Sequence, residues 1–427
     1  MSDRLKAFQS AYRNLDLLPL VEPRMLEQFH VDYGQEALAE LEQLIEDDDT
    51  GDGKTIFAGH RGCGKSTLLA EFGRQCRDRG FFVVFFSIAD SIEMSDVNHI
   101  TILFSIAVNL MTEAEKADVD ISSTAKQAFN TWFATKTQTQ VSQVDGNVSF
   151  GLPFFKIIQN KLKAEATIRK EIKQEFERKV SELVAQINAI AAAIQSGSGK
   201  QVLVIIDDLD KLDLAVVRDV YREHIKALFL PGFRIIYTTP VAALRDAPLR
   251  AMMTTETNDQ IVEMPVAKLY GKTETRSDAL VPIAENRHTL CDMLGKRIPA
   301  ELIDPKITEE IVLKSGGVLR ELVRLANKCC RICLRKVRRQ PDGNVLIDKA
   351  VFEQAVQDMR LDFESPLGKA DYSILKTTYH KFMPEDPKAQ AFLDLLHGLH
   401  ILEYRNGGIW YDLHPVVADL MKLKEII

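Results

Sequence analysis

The stretch Gly59-His60-Arg61-Gly62-Cys63-Gly64-Lys65-Ser66 satisfies the pattern G-x-x-x-x-G-K-[ST] at every fixed position. Upstream, "TIFA" (55–58) reads as a short strand; downstream, "STLLAEFGRQCRDRG" (66–80) reads as a helix that closes at Gly80. Strand, glycine loop and helix in that order are the context the pattern requires. The glycines let the backbone curl so that its N–H groups turn inward on phosphate oxygens, and the helix N-terminus adds the positive end of its dipole. Residues Gly59 to Thr67 are therefore expected to cradle a nucleotide. Lys65 should reach the β- and γ-phosphates, and the Ser66 hydroxyl should ligate Mg²⁺.

A second stretch, "VLVIIDDLDKL" (202–212), supplies acids. Val202 to Ile206 form an apolar strand, and Asp207 and Asp208 stand at its carboxyl end, where ligands bind in open α/β sheets. Asp207 suits a Mg²⁺-associated carboxylate, and Asp208 suits the group that polarises an attacking water. Asp210 is read as the cap of the next helix. Between the loop helix and the "IIDD" strand runs a further strand, "FFVVFFSIAD" (81–90). That order fits the phosphate-loop proteins that carry an inserted strand and an extra catalytic acid. It departs from small-molecule kinases, and the reading is an ATP-hydrolysing, Mg²⁺-dependent α/β protein.

The whole chain frames this reading. Its 427 residues leave room for about two to four domains. Hydrophobic residues make up 46% and charged residues 27%, ordinary for a globular chain. A net charge of −7 argues against wholesale coating of nucleic acid, although a local basic face can still bind it. The N-terminus has no apolar signal region, and the densest apolar run (81–89) is too short to cross a bilayer. The six cysteines form no disulfide framework, so a cytoplasmic protein is expected. Cys329, Cys330 and Cys333 read as one buried helix face rather than as metal ligands.

Four segments are expected: an N-terminal helical stretch (1–50), the core (51–270), a helical lid (271–362) and a winged-helix-like end (363–427). Helix is expected over 24–46 and 99–111, and from Leu214 to Leu230. An insertion at about 114–200 interrupts the α/β rhythm. In it Ile168, Ile172, Phe176, Val180, Leu183, Ile187, Ile190 and Ile194 recur every three or four positions, predicting one long helix that either packs on its own domain or offers a docking surface to another subunit. "QSGSGK" (195–200) is expected to be a flexible link. Strands resume at "FRIIYTT" and "QIVEMP". Near the end, two strand-like runs flank "RNGG" (405–408), a hairpin signal.

The succession "GHRGCGKST", "VLVIIDDLD", "RIIYTT" and "SGGVLREL", closed by helices and a hairpin, resembles the AAA+ and STAND branches of P-loop ATPases. The insertion departs from a minimal core of either. The resemblance implies a nucleotide-controlled switch that self-assembles or engages a separate effector protein. It implies a γ-phosphate sensor at Thr238, preferred to Thr239 because the latter precedes Pro240, and a lid sensor at Arg320. His414, in "DLHPVV", matches only the histidine of the STAND Met-His-Asp motif. It is read either as a contact to bound ADP or as a histidine packed at a strand end. Arg218, Arg222, Arg234 and Arg250 are candidates for an arginine supplied to a neighbouring subunit.

An alternative is a DNA-associated AAA+ ATPase of the replication-initiator or transposition-regulator type. Arg320, Arg324, Lys328, Arg331, Arg335 and Arg338 recur at three- and four-residue steps and share one helix face, extended by Lys336 and Arg339. Such a face can contact phosphates in a salt-dependent way. The expected recognition helix of the C-terminal segment, "KAQAFLDLLHGLHIL", is by contrast largely apolar and gives DNA reading little support.

Overall fold

A computed structural model of the chain describes residues 3–139, 151–272, 274–276, 282–340, 343–405 and 408–427. The elements run α1 (Asp3–Asn14), α2 (Pro23–Phe29), α3 (Gln35–Glu46), β1 (Lys54–Gly59), α4 (Lys65–Asp78), β2 (Phe82–Ser87), α5 (Ile88–Ser91), α6 (His99–Lys116), α7 (Ser123–Lys136), α8 (Leu152–Ala164), α9 (Ala166–Phe176), α10 (Val180–Ser198) and β3 (Val202–Asp207). They continue with α11 (Leu214–Arg218), α12 (Ile225–Leu228), β4 (Arg234–Pro240), α13 (Ala247–Glu256), β5 (Ile261–Met264), α14 (Ala284–Gly295), α15 (Pro305–Lys314), α16 (Leu319–Arg339) and α17 (Lys349–Glu364). The last are α18 (Lys369–Lys381), α19 (Gln390–His397), β6 (Ile401–Arg405), β7 (Ile409–Leu413) and α20 (Pro415–Leu423). The chain divides into two compact units: residues 36–58 with 69–263, and residues 1–35 with 59–68 and 264–427.

The first of these units holds the sheet, whose strand order is β2-β3-β4-β1-β5. β3 lies parallel to β2 on one side and to β4 on the other. β1, β3 and β4 are buried along their whole length, which accounts for their near-continuous apolar sequences. In space, the strand separating β1 from β3 is β4, while β2 lies at the edge. α6 is capped by Asn98, whose side chain accepts from the backbone N–H of Thr101 at 3.2 Å. It is buried almost all round because α8, α9 and α10 lie against it.

The insertion's stripe differs from its expected form. It is divided between α9 and α10, with the break at Glu177–Lys179. Ile168, Ile172, Phe176, Leu183, Ile187, Ile190 and Ile194 are all buried, and both helices face α6. The stripe thus packs on its own domain. Nor is "QSGSGK" a free link: Gln195–Ser198 form the last turn of α10. Gly199, at φ +67°, closes it with an N–H to Gln195 O bond of 2.9 Å, a left-handed cap that glycine adopts without strain. The expected helix from Leu214 to Leu230 is broken by a π turn at Asp219–Glu223. Tyr221, on that turn, donates its hydroxyl to the Thr238 carbonyl at 2.8 Å, and such inserted residues commonly re-aim a side chain in this way.

In the second unit α1, within the N-terminal stretch, buries Phe8 and Ala11 and packs along α16. α16 is sharply two-faced, with Leu322, Leu325, Cys329, Cys330 and Cys333 buried and its arginines outward. The thiols of Cys330 and Cys333 are pushed up to about 12 by burial, as befits packing groups. The closing segment is α18, α19, an antiparallel β6–β7 hairpin and α20. In the hairpin Ile401 pairs with Leu413 and Arg405 with Ile409, while Asn406 and Gly407 lie outside the described residues. Among the described residues no helix is long and apolar enough to cross a membrane.

Candidate nucleotide site

The glycine loop turns on Gly62 (φ +77°) and Gly64 (φ +104°). A Cβ on Gly62 would come within 2.4 Å of the Arg320 Cβ, and one on Gly64 within 2.8 Å of a Leu319 methyl. Backbone freedom and close approach to the N-terminus of α16 thus both require glycine here. The Lys65 ammonium is buried and donates to the carbonyls of His60 at 2.7 Å and Gly59 at 3.1 Å. It is held over the loop by weak neutral acceptors, which a phosphate oxygen would displace. The Ser66 side chain has no hydrogen-bond partner among the described residues, and the Thr67 hydroxyl accepts the Leu20 N–H at 3.1 Å. Cys63 is buried inside the loop and Arg61 half-buried.

Two further bonds anchor the loop. The Arg320 N–H donates to the Gly62 carbonyl at 2.9 Å. His60 is buried, and its Nε2 accepts the backbone N–H of Glu403, on β6, at 2.9 Å. Only a neutral imidazole with its proton on Nδ1 can accept there. This second tie escapes sequence reading, because His60 occupies one of the pattern's variable positions.

At the carboxyl end of β3, Asp207, Asp208 and Asp210 are all buried, and each offers a carboxylate oxygen within 4.8 Å of the others. Asp208 has a left-handed backbone (φ +69°). Its carboxylate is engaged on both sides, accepting from Ser87 Oγ at 2.6 Å and pairing with Lys211 Nζ at 2.5 Å. Asp210 does not cap a helix. It lies inside the 3-10 turn Leu209–Lys211, and Asp213 precedes α11 without a side-chain cap bond. The three buried carboxylates bring oxygen ligands within reach of one point. The donor set therefore fits a hard divalent cation such as Mg²⁺.

Thr238 lies near the end of β4, the strand expected to carry the sensor. Its hydroxyl is fully buried, donates to the Ile206 carbonyl at 3.1 Å and accepts the Leu209 N–H at 3.0 Å. A hydroxyl has one proton, so Thr238 braces β4 against β3 and the acidic turn. The neighbouring Thr239 hydroxyl is equally buried and has no hydrogen-bond partner among the described residues. Arg320 is exposed and makes no ion pair among the described residues. His414 is fully buried and stacks on Phe363 with ring centroids 4.6 Å apart. Its Nδ1 accepts the Val416 N–H at 3.2 Å, capping α20. Burial, with His400, Lys314 and Arg324 nearby, pushes its pKa down to about 3. Of its two readings, the geometry matches the packed histidine.

The four trans-arginine candidates separate. Arg234 is buried against Asp48 at 3.0 Å, and Arg218 pairs with Asp246 at 2.7 Å. Arg222 and Arg250 are exposed. The basic stripe on α16 separates too. Arg324 pairs with Glu321 at 3.0 Å and Asp362 at 2.6 Å, and Lys328 pairs with Asp362 at 3.0 Å. Burial works to raise the Asp362 pKa, but Lys328 and Arg324 outweigh it and hold the carboxyl below its usual range. Arg331, Arg335 and Arg338, further along, are exposed.

A sheet in the order β2-β3-β4-β1-β5, with a glycine loop leaving β1 and an acidic turn leaving β3, defines a P-loop NTPase fold. Within it, residues 40–236 match the KAP family P-loop domain. That span runs from α3 into β4 and includes the helical insertion. No curated protein matches the chain. Among solved structures, the crystal structure of Cdc6p from Pyrobaculum aerophilum is similar at 11% identity and a TM-score of 0.39, covering 93% of this chain and 98% of that one. The structure of Drosophila ORC bound to DNA is similar at 11% identity and a TM-score of 0.39, covering 97% of this chain and 91% of that one.

Proposed function

We propose that the protein is a Mg²⁺-dependent ATPase of AAA+/STAND character, a switch whose C-terminal segment answers to the nucleotide. The observation that carries this reading is the His60–Glu403 bond, in which the phosphate loop itself holds the C-terminal hairpin. In this reading the Lys65 ammonium leaves the loop carbonyls for the β- and γ-phosphate oxygens. Ser66 and Asp207 would each serve as Mg²⁺ ligands, and the ion would neutralise developing phosphate charge. Asp208, oriented by Ser87 and Lys211, accepts a hydrogen bond from the attacking water. Thr239, rather than Thr238, donates to the γ-phosphate, and Arg320 approaches from the lid.

Any shift of the loop on phosphate release then acts on two ties, Gly62–Arg320 and His60–Glu403. The hairpin and its neighbouring helices, a winged-helix-like segment, move with it. An open form would assemble with further copies or engage a separate effector, with Arg222 and Arg250 as the arginines left to act in trans. His414 serves this segment as a packed cap on α20.

The test combines phosphate release with hydrogen exchange over residues 401–413. Hydrolysis by the wild-type chain, its loss in Lys65→Ala, and faster exchange at Glu403 with a non-hydrolysable ATP analogue than with ADP are the expected results. Hydrolysis unchanged by Lys65→Ala would remove the ATPase. Identical exchange in every nucleotide state would remove the switch.

A further inference from the structure

We propose that the groove between α1 and α16 binds single-stranded nucleic acid, holding its phosphates with Arg331, Arg335, Arg338 and Arg13. The groove encloses about 560 Å³ and is lined by those four arginines with Gln9, Tyr12 and Leu334. Four arginines line one recess and no acidic residue does. None of the four makes an ion pair among the described residues, whereas Arg324 and Lys328, on the same helix face, are neutralised by Asp362. Four like charges gathered without a counter-charge repel each other, and an anion relieves that repulsion.

The side chains narrow the anion's class. All four cations are arginines, whose planar forks bind phosphate oxygens in pairs and give up hydration more readily than an ammonium does. Along α16, Arg331 to Arg338 span about 10 Å at the helical rise, so they reach more than one phosphate of a strand rather than a single ion. Tyr12 is 39% exposed and stands at the wall, offering an aromatic face on which an unpaired base can stack. Gln9 adds an amide beside it, and Leu334, almost wholly buried, forms an apolar floor. A cationic groove with a stacking face is how proteins follow a single strand. A lipid surface, being flat, would be met by a projecting face rather than by a recess between two helices.

This inference does not depend on the ATPase reading, and binding is measured on the full chain without nucleotide. A labelled oligothymidylate is titrated by fluorescence anisotropy over a salt series. The chains compared are the wild type, Arg335→Gln/Arg338→Gln, Tyr12→Ala, and the control Lys170→Gln/Arg178→Gln, on α9 and in the break that follows it. All these side chains are exposed, and thermal melting confirms that each variant is folded. The arginine pair is expected to weaken binding at least tenfold and to flatten the slope of log K against log salt by about 1.4, from 0.7 per phosphate contact. Tyr12→Ala is expected to weaken binding about fivefold or more with an unchanged slope. The control is expected to bind like the wild type.

Absence of wild-type binding overturns the proposal, as does equal binding by the arginine pair, or an equal loss in the control. An unaffected Tyr12→Ala overturns the single-strand assignment. Preference for a duplex or for phosphatidylserine vesicles over the oligothymidylate overturns it as well.

Discussion

The glycine loop after β1 and the acidic turn after β3 leave strands of one sheet, yet their chemistry is built in different ways. The loop works through its own backbone. Gly62 and Gly64 take positive φ, and the Lys65 ammonium returns to carbonyls five and six residues back. The acidic turn works through borrowed partners. Asp208 is held by Ser87, 121 residues earlier, and the turn's Leu209 N–H by Thr238, 29 residues later. Local geometry can be read from a sequence pattern, whereas a site assembled from three strands can be read only as a set of candidate acids.

The largest effect should fall on the loop. Lys65→Ala removes the cation proposed to meet the phosphates, and steady-state phosphate release is expected to drop by about 10²–10³, as for loss of a preorganised charge stabiliser. At the acidic turn, Asp208→Asn is expected to cost about 10²–10⁴ in kcat if Asp208 acts as the water's base. Ser87→Ala, which removes only a partner, should cost a few-fold in kcat and leave ATP affinity unchanged. Equal losses from Ser87→Ala and Asp208→Asn would mean that Asp208 serves to fix the turn rather than to handle the water.

A smaller pair of effects should cross over between neighbours. Thr238→Val deletes a donor to Ile206 and an acceptor for Leu209, both buried, and is expected to cost about 1–3 kcal/mol of stability in urea unfolding. Thr239→Val deletes a buried hydroxyl with no partner among the described residues, so stability should be unchanged or slightly raised. Activity should run the opposite way, with kcat falling in Thr239→Val at unchanged thermal stability. If Thr238→Val instead keeps full stability while losing hydrolysis, the bracing role given to Thr238 is wrong.

The same division explains what was legible. The strand–loop–helix unit, the apolar strands, the "RNGG" hairpin and the buried stripe of the insertion all follow from short-range pattern. They appear where the pattern places them, except that the stripe is broken between α9 and α10. Partnership is what the pattern lacks. One regular row of cations on α16 conceals two environments, because Asp362 on α17 reaches Arg324 and Lys328 and leaves Arg331 onward outside its range. The sequence prefers Thr238 to Thr239 only because the latter precedes proline, and it does not show that the Thr238 hydroxyl bonds Ile206 and Leu209 while that of Thr239 has no partner among the described residues. Asp210 reads as a cap because an acid before a helix commonly caps. In the structure a 3-10 turn intervenes and brings it among the other acids.

The smallest effect concerns acid stability and sharpens the comparison from the C-terminal side. His414 is neutral in the folded chain, its pKa lowered from 6.5 to about 3 by burial first and by His400, Lys314 and Arg324 after it. His400 is lowered as well, again mainly by burial. A histidine with a depressed folded pKa binds its proton in the unfolded chain first, so its contribution is complete above pH 6.5 and is lost as pH falls below it. Each such histidine lowers the folding equilibrium constant by up to about tenfold per pH unit on the acid side. His414→Asn keeps a side-chain acceptor for the Val416 N–H but cannot be protonated. It should lower stability at neutral pH, through loss of the Phe363 stacking, and flatten the decline of the urea midpoint between about pH 6.5 and pH 5. A decline as steep as in the wild type would mean that the acid sensitivity arises elsewhere, with His99, lowered to about 4 by burial and by His224, the next residue to replace.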